Sequence, residues 1–205
     1  MTLEWIGAVL ALAAALALRP WRALGAAGPP WVWLAAWALL PWLWSADRHA
    51  HSALLQPLSG ASLLLLMAGW PLAVLGLTSA ALLAFAVGAL DASESVQRLV
   101  WLGLMPASIA LAWGAAARRW LPRHLFVYIF ARGFFGTLVA TMAAAALALW
   151  RQGPMPGLTA GDLLLGRWLA AWGEAIVTGM LVAIFVAYRP HWLATYSDAL
   201  YLPPR

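Results

Sequence analysis

Of 205 residues, 65% are hydrophobic and 9% charged, against about a quarter charged in soluble domains, which excludes an ordinary soluble domain and reads as a polytopic membrane protein. The net charge of +5 comes from 12 basic residues, every one an arginine, against 7 acidic; spread between apolar runs, it follows the positive-inside pattern and excludes a nucleic-acid-binding face. With no Cys there is no disulfide framework, no thiolate nucleophile and no Cys-based metal site.

Residues 3–18 (LEWIGAVLALAAALAL) form an apolar run slightly under the ~20 residues of a full span. Glu4 precedes the run and Arg19 and Arg22 follow it, the reverse of the charge order in a signal peptide, which predicts a retained first helix with its N-terminus outside. Gly7, Ala11 and Ala15 make a small-residue stripe suited to close helix packing. Gly25, Gly28, Pro29 and Pro30 predict a hinge, and residues 31–45 a short second span kinked or ended near Pro41. Asp47, Arg48, His49 and His51 then interrupt the apolar pattern in an outer loop. Residues 53–90 are too long for one span and carry Gly69, Trp70 and Pro71 near the middle, which predicts two helices and a tight turn. Asp91 to Arg98 is expected as the next outer loop, 99–117 as a fifth span bent at Pro106, roughly 125–150 as the sixth and roughly 164–188 as the seventh.

The expected fold class is therefore all-α, a polytopic bundle of about seven transmembrane helices, N-out and C-in, in a single integral domain over residues 1–205. In that topology Arg19, Arg22, Arg118, Arg119, Arg123, Arg189 and Arg205 lie inside, against Arg48, Arg98, Arg151 and Arg167 outside. Trp5, Trp42, Trp44, Trp101, Trp150 and Trp168 fall at outer span ends and Trp21, Trp31, Trp70, Trp120 and Trp192 at inner ones, as a headgroup-level aromatic belt; Trp37 is the exception. The first partner this implies is the lipid bilayer.

Two charges sit within the predicted spans, Arg132 in the sixth and Glu174 in the seventh. Such residues are costly in lipid and point to function or to mutual pairing. Helical spacing aligns Arg132 with Gly136 and Ala140, and Glu174 with Gly166, Ala170 and Thr178. Both charges thus occupy small-residue faces, either as a direct ion pair or with water or backbone satisfying each one separately. Their depths differ and their Cβ vectors diverge on antiparallel helices.

The stretch LPRHLFVYIFARGFFGTLVA (121–140), with Phe126, Tyr128, Gly133, Phe134, Phe135 and Gly136, and the stretch GEAIVTGMLVAIFVAYRPHWLATYSDALYL (173–202), with Gly173, Thr178 and Gly179, together resemble the CbiM-like family. The closer likeness is to its short proteobacterial branch of energy-coupling factor transporter permeases, and GASLLLLMAGWPLAVLG (60–76) adds a weaker one. The resemblance implies a substrate-capturing membrane component for cobalt or nickel that works with a transmembrane coupling subunit and two cytoplasmic ATPases. It also implies a square-planar nitrogen site made of the free N-terminus, a His at the second residue and a His ahead of the third span. Here those positions hold Thr2 and Gln56 or Pro57, so the inherited ligand set is missing.

The substitute within reach is His49-Ala-His51, two imidazoles in an expected extended loop ahead of the same span. His124 and His191 stand beside arginines, where phosphate or headgroup contacts suit them better than metal. No permanently bound cofactor is expected, and Co(II) or Ni(II) enters as cargo. The readings carried forward are a capture component for a divalent transition metal or a metal-related small molecule, and a non-transporting scaffold or assembly factor that keeps the fold without the site. A membrane enzyme ranks last, because no Ser/His, paired-Asp or HExxH arrangement occurs within the spans.

Overall fold

The computed structural model describes residues 2–23, 31–50, 56–154 and 157–202, and every regular element among them is helical. In chain order these are α1 (Thr2–Ala17), α2 (Trp31–Trp44), α3 (Ala46–Ala50), α4 (Ala61–Ala68), α5 (Trp70–Ala86), α6 (Ala92–Trp120), α7 (Leu125–Gln152), α8 (Ala160–Tyr188) and α9 (Asp198–Tyr201). Single 3-10 turns occupy Pro20–Ala23 and Pro190–Trp192. The expected hinge at 25–30 and Arg205 lie outside the described residues.

Three helices, α6, α7 and α8, are long and apolar enough to cross a membrane. Their outward faces stay apolar: Leu169, Ile176 and Met180 of α8 are 59%, 54% and 54% exposed, a surface suited to lipid rather than water. The shorter apolar helices α1 and α5 have 16 and 17 residues. Segment 53–90 forms the two expected helices, turning at Gly69, but they are unequal: α4 has 8 residues, ~12 Å of helix and about half of a span. It is delimited by Gly60 and Gly69, whose φ angles of 66° and 79° are left-handed conformations that end an L-residue helix.

Two helices start earlier than their hydrophobic patterns suggest, because caps rather than apolarity fix their first turns. Asp91 accepts from the backbone N–H of Glu94 at 2.9 Å and from the Ser93 hydroxyl at 2.7 Å, so residues 92–98, expected as a loop, are the opening turns of α6. Those bonds, that from Glu94 foremost, hold the Asp91 carboxyl below its ordinary range. In α8 a capping box joins Thr159 and Asp162, and the helix begins at Ala160 rather than near 164.

Wider π-type turns interrupt two of the long helices, at Leu99–Leu104 in α6 and at Tyr128–Phe134 in α7. The first lies directly ahead of Pro106, whose missing N–H and bulky ring disrupt regular i to i−4 bonding. α2 runs through Pro41 and ends at Trp44, near the expected stop.

Close packing of α7 on α8 depends on glycines. A methyl group at Gly133 would stand 3.2 Å from Val182, and one at Gly179 would stand 3.1 Å from Phe134. At the other end of the bundle the two polar segments expected as separate loops are tied together. Arg98 makes a two-pronged pair with Asp47, each contact at 2.8 Å, and Arg48 pairs with Glu94. Trp44 leaves the expected belt: it is fully buried against Gly103, with its indole N–H donated to the Ser59 carbonyl at 3.1 Å. Trp42, Trp120 and Trp150 are 71%, 77% and 83% exposed, as a belt requires.

Candidate functional site

Two of the buried charges, Glu174 and Arg132, lie at the two ends of α4. At its N-terminal end the backbone N–H of Ser59 donates to Glu174 Oε2 at 2.9 Å, and that of Gly60 donates to Oε1 at 3.0 Å. Glu174 is buried at the midpoint of the 29-residue α8, so the short helix begins at mid-level in the bundle. The Ser59 hydroxyl accepts from the Ala61 N–H at 3.1 Å. A carboxylate here satisfies backbone donors that nothing else would meet in lipid, and it faces the positive end of the helix dipole.

The C-terminal end of α4 is held by the chain that follows α8. Past the turn at Pro190–Trp192, this tail folds back into the bundle, burying Leu193, Tyr196 and Tyr201. The Ala194 N–H donates to the Met67 carbonyl at 3.1 Å, and the Thr195 N–H to the Leu66 carbonyl at 3.3 Å. The Thr195 hydroxyl also donates to Leu66, at 3.0 Å. Its single proton being used there, the Tyr128 hydroxyl is the donor in the 2.8 Å contact with Thr195 Oγ1.

Arg132 completes this end of the clamp. Its Nη1 donates to the Thr195 carbonyl at 3.1 Å, and its guanidinium lies 5.2 Å from the centre of the Tyr128 ring. Tyr128 is fully buried, with Tyr196 and Tyr201 edge-on at 4.9 and 5.0 Å. Gly114 of α6 leaves room for the guanidinium, since a methyl there would sit 3.0 Å from Arg132 Nε. Replacing Thr195 with valine keeps the shape and removes the hydroxyl, orphaning the Tyr128 O–H. The expected cost is about 1–3 kcal/mol, read as a lower melting temperature in detergent, with Thr195→Ser retaining most of the stability.

Ahead of the capped N-terminus lies a cleft of about 700 Å³ between the first half of α8 and the segment leading into α4. Its walls include Leu43, Gln56, Pro57, Leu58, Leu165, Leu169 and Gly173. Gly173 borders open space, with nothing within 4 Å of where a Cβ would stand. The cleft therefore descends to the residue next to Glu174, and its few polar side chains include Gln56 and Asp162.

Arg132 and Glu174 do not form the direct ion pair that was one of the two expected arrangements. Backbone groups beside opposite ends of α4 meet them instead, two N–H groups for Glu174 and the Thr195 carbonyl for Arg132. The reason is depth: Arg132 lies ~10 Å into α7 from Leu125, whereas Glu174 stands at the middle of α8. Of the other motif residues, Tyr128 belongs to the clamp, and Gly133, Phe134 and Gly179 form the α7–α8 contact. Gly136 admits Trp113, whose indole donates to the Ala131 carbonyl at 2.7 Å, and Thr178 is buried. Phe126 and Phe135 are 60% and 46% exposed and face outward.

The backbone of His49 belongs to α3 rather than to an extended loop, so that expectation is corrected; its side chain and the whole of His51 lie outside the described residues. Among the described residues no group of three or more His, Asp or Glu gathers at ion-binding distance. Exposed His124 caps α7 by accepting from the Phe126 N–H at 3.3 Å. Ser59 and Thr195 were not singled out from the sequence. The pair Ser59-Gly60 ahead of an apolar run is a helix-start signal, whereas nothing local marks Thr195.

The fold and site define an all-helical, membrane-embedded protein built around a half-length helix clamped at both ends. The chain matches no family model, no curated protein and no solved structure.

Proposed function

We propose that this chain is the membrane-embedded substrate-capture component of an energy-coupling factor type transporter, of the CbiM-like kind, carrying a cobalt- or nickel-class divalent metal or a metal-related small molecule. The observation that carries the reading is α4, a half-helix whose N-terminus ends at mid-bundle at the foot of a cleft. Secondary transporters place substrate sites near the bilayer midplane at such broken helices. The three stretches bearing the resemblance (60–76, 121–140 and 173–202) are also the ones that meet at α4, which supports a shared origin for them. A cleft of about 700 Å³ has room for a small molecule, which favours a metal-containing compound over a bare ion.

The proposed topology is a bundle of seven apolar elements in a bacterial inner membrane, N-out and C-in, with α4 as a half-length member. A reporter fused after Arg205 is expected to read as cytoplasmic. The proposal is tested by purifying the tagged chain from its native membrane. A coupling subunit and ATPases should accompany it, and deletion of the chain should abolish uptake of the cargo. Recovery without them, together with unchanged uptake, would favour the non-transporting scaffold, a reading that Thr2 and Gln56 at the family's ligand positions already invite.

Bare Co(II) or Ni(II) is expected to bind weakly, through His49 and His51 alone. Calorimetric titration of His49→Ala/His51→Ala should show that binding gone. In the parent it should fade as pH falls through ~6.5, because neutral imidazole is the ligand form. Tight stoichiometric binding that survives the double substitution would place the metal elsewhere.

A further inference from the structure

At the arginine-rich end of the bundle a second cavity, of about 230 Å³, opens between α6, α7 and the tail. Its walls carry Arg118, Arg123 and Arg132 together with Tyr128 and Tyr201, and no carboxylate is among its lining residues. The volume is that of several water molecules, each filling ~30 Å³ in the liquid. Arg118 and Arg123 are exposed at the rim. Arg132 is 7% exposed, and its Nε is buried with no hydrogen-bond partner. Among the described residues, neither ion pair involves it: Asp47 pairs with Arg98 and Glu94 with Arg48, at the other end of the bundle.

Among the described residues, a guanidinium held at this depth has one carbonyl and one aromatic ring for company and no counter-charge. Buried arginine is costly unless an anion meets it, and its planar fork matches phosphate oxygens bidentately, phosphate being the anion that every membrane surface presents. Nε and Nη2 pack against Gly114, where a Cβ would stand 3.0 and 3.2 Å from them, so the glycine supplies space for the guanidinium but no counter-charge. The C-terminal turn of α6, carrying Arg118, and the loop before α7, carrying Arg123, bring two more cations to the level where lipid headgroups lie.

We propose that this cavity is a phosphate-binding site, with Arg132 at its floor and Arg118 and Arg123 at its rim, which takes the phosphate of an anionic lipid headgroup or a free phosphate compound. Occupancy neutralises Arg132 and so bears on the Thr195 contact that holds the C-terminal end of α4. The site is independent of the cargo cleft, which lies at the other end of α4.

The test uses the full chain in neutral detergent. Native mass spectrometry with added phosphatidylglycerol or phosphatidylcholine tests the lipid source, and calorimetric titration with inorganic phosphate and pyrophosphate tests the soluble one. Expected is preferential retention of phosphatidylglycerol, or saturable phosphate binding if the natural occupant is soluble. Either should weaken about ten-fold or more in Arg118→Gln/Arg123→Gln, a rim variant whose melting temperature should match the parent. Arg132→Gln should lose binding entirely. Equal retention of the two lipids with no phosphate binding would overturn the proposal. So would undiminished binding by the folded rim variant, or an endogenous partner protein's carboxylate found occupying the cavity.

Discussion

Glu174→Ala is expected to destabilise the protein by about 3 kcal/mol or more. The carboxylate meets two backbone N–H groups at 2.9 and 3.0 Å, and both would remain buried without it. Each charge-assisted bond contributes about 1.5–3 kcal/mol, and an abandoned donor costs about as much as a lost bond. Glu174→Gln should lose roughly half as much, since one amide oxygen can still accept while the NH₂ group faces a donor. Thermal unfolding in detergent measures both. An alanine variant that melts like the parent would mean that the N-terminus of α4 is satisfied by something other than Glu174.

Gly60→Ala attacks the same end of α4 by a different route and is expected to cost about 2–4 kcal/mol. The residue sits at φ 66°, where an L side chain is strained, and a Cβ there would stand 2.7 Å from Leu40 Cδ2. Leu40 is itself 2% exposed in the core and has little room to yield. Pairing Gly60→Ala with Leu40→Ala separates the two contributions. The pair should recover the steric part and keep the backbone part, at the expense of a cavity where Leu40 was. By contrast Gly69→Ala, at φ 79° with open space around it, should show backbone strain alone.

What the sequence made legible follows the reach of each signal. Apolar runs located α1, α2, α4, α5 and the three long helices, because hydrophobic length is a local property. Helix starts at Ala92 and Ala160 were encoded by Asp91-x-x-Glu94 and Thr159-x-x-Asp162, but the apolar pattern masked them, since it begins a few residues later. The capping of α4 by Glu174 joins residues 115 positions apart in the chain, and periodicity carries no information over such a distance. The importance of Arg132 and Glu174 was readable from the cost of charge in lipid; the choice between pairing and separate backbone satisfaction was set by the relative depth of two helices. Thr195 lies in a short polar tail whose folding back beneath α4 had no local mark at all.

The account centres on Glu174 gripping the start of α4 at mid-bundle, and amide hydrogen exchange at Ser59 and Gly60 reads that contact directly. In the intact protein both amides should exchange slowly, as hydrogen-bonded core groups do. In Glu174→Gln at least one of them should exchange faster, while amides in the α7 interior, such as Thr141 and Ala144, keep their parent rates. Fast exchange at Ser59 and Gly60 in the parent, or identical protection in both proteins, would contradict the clamp on which the half-helix and the proposed capture site depend.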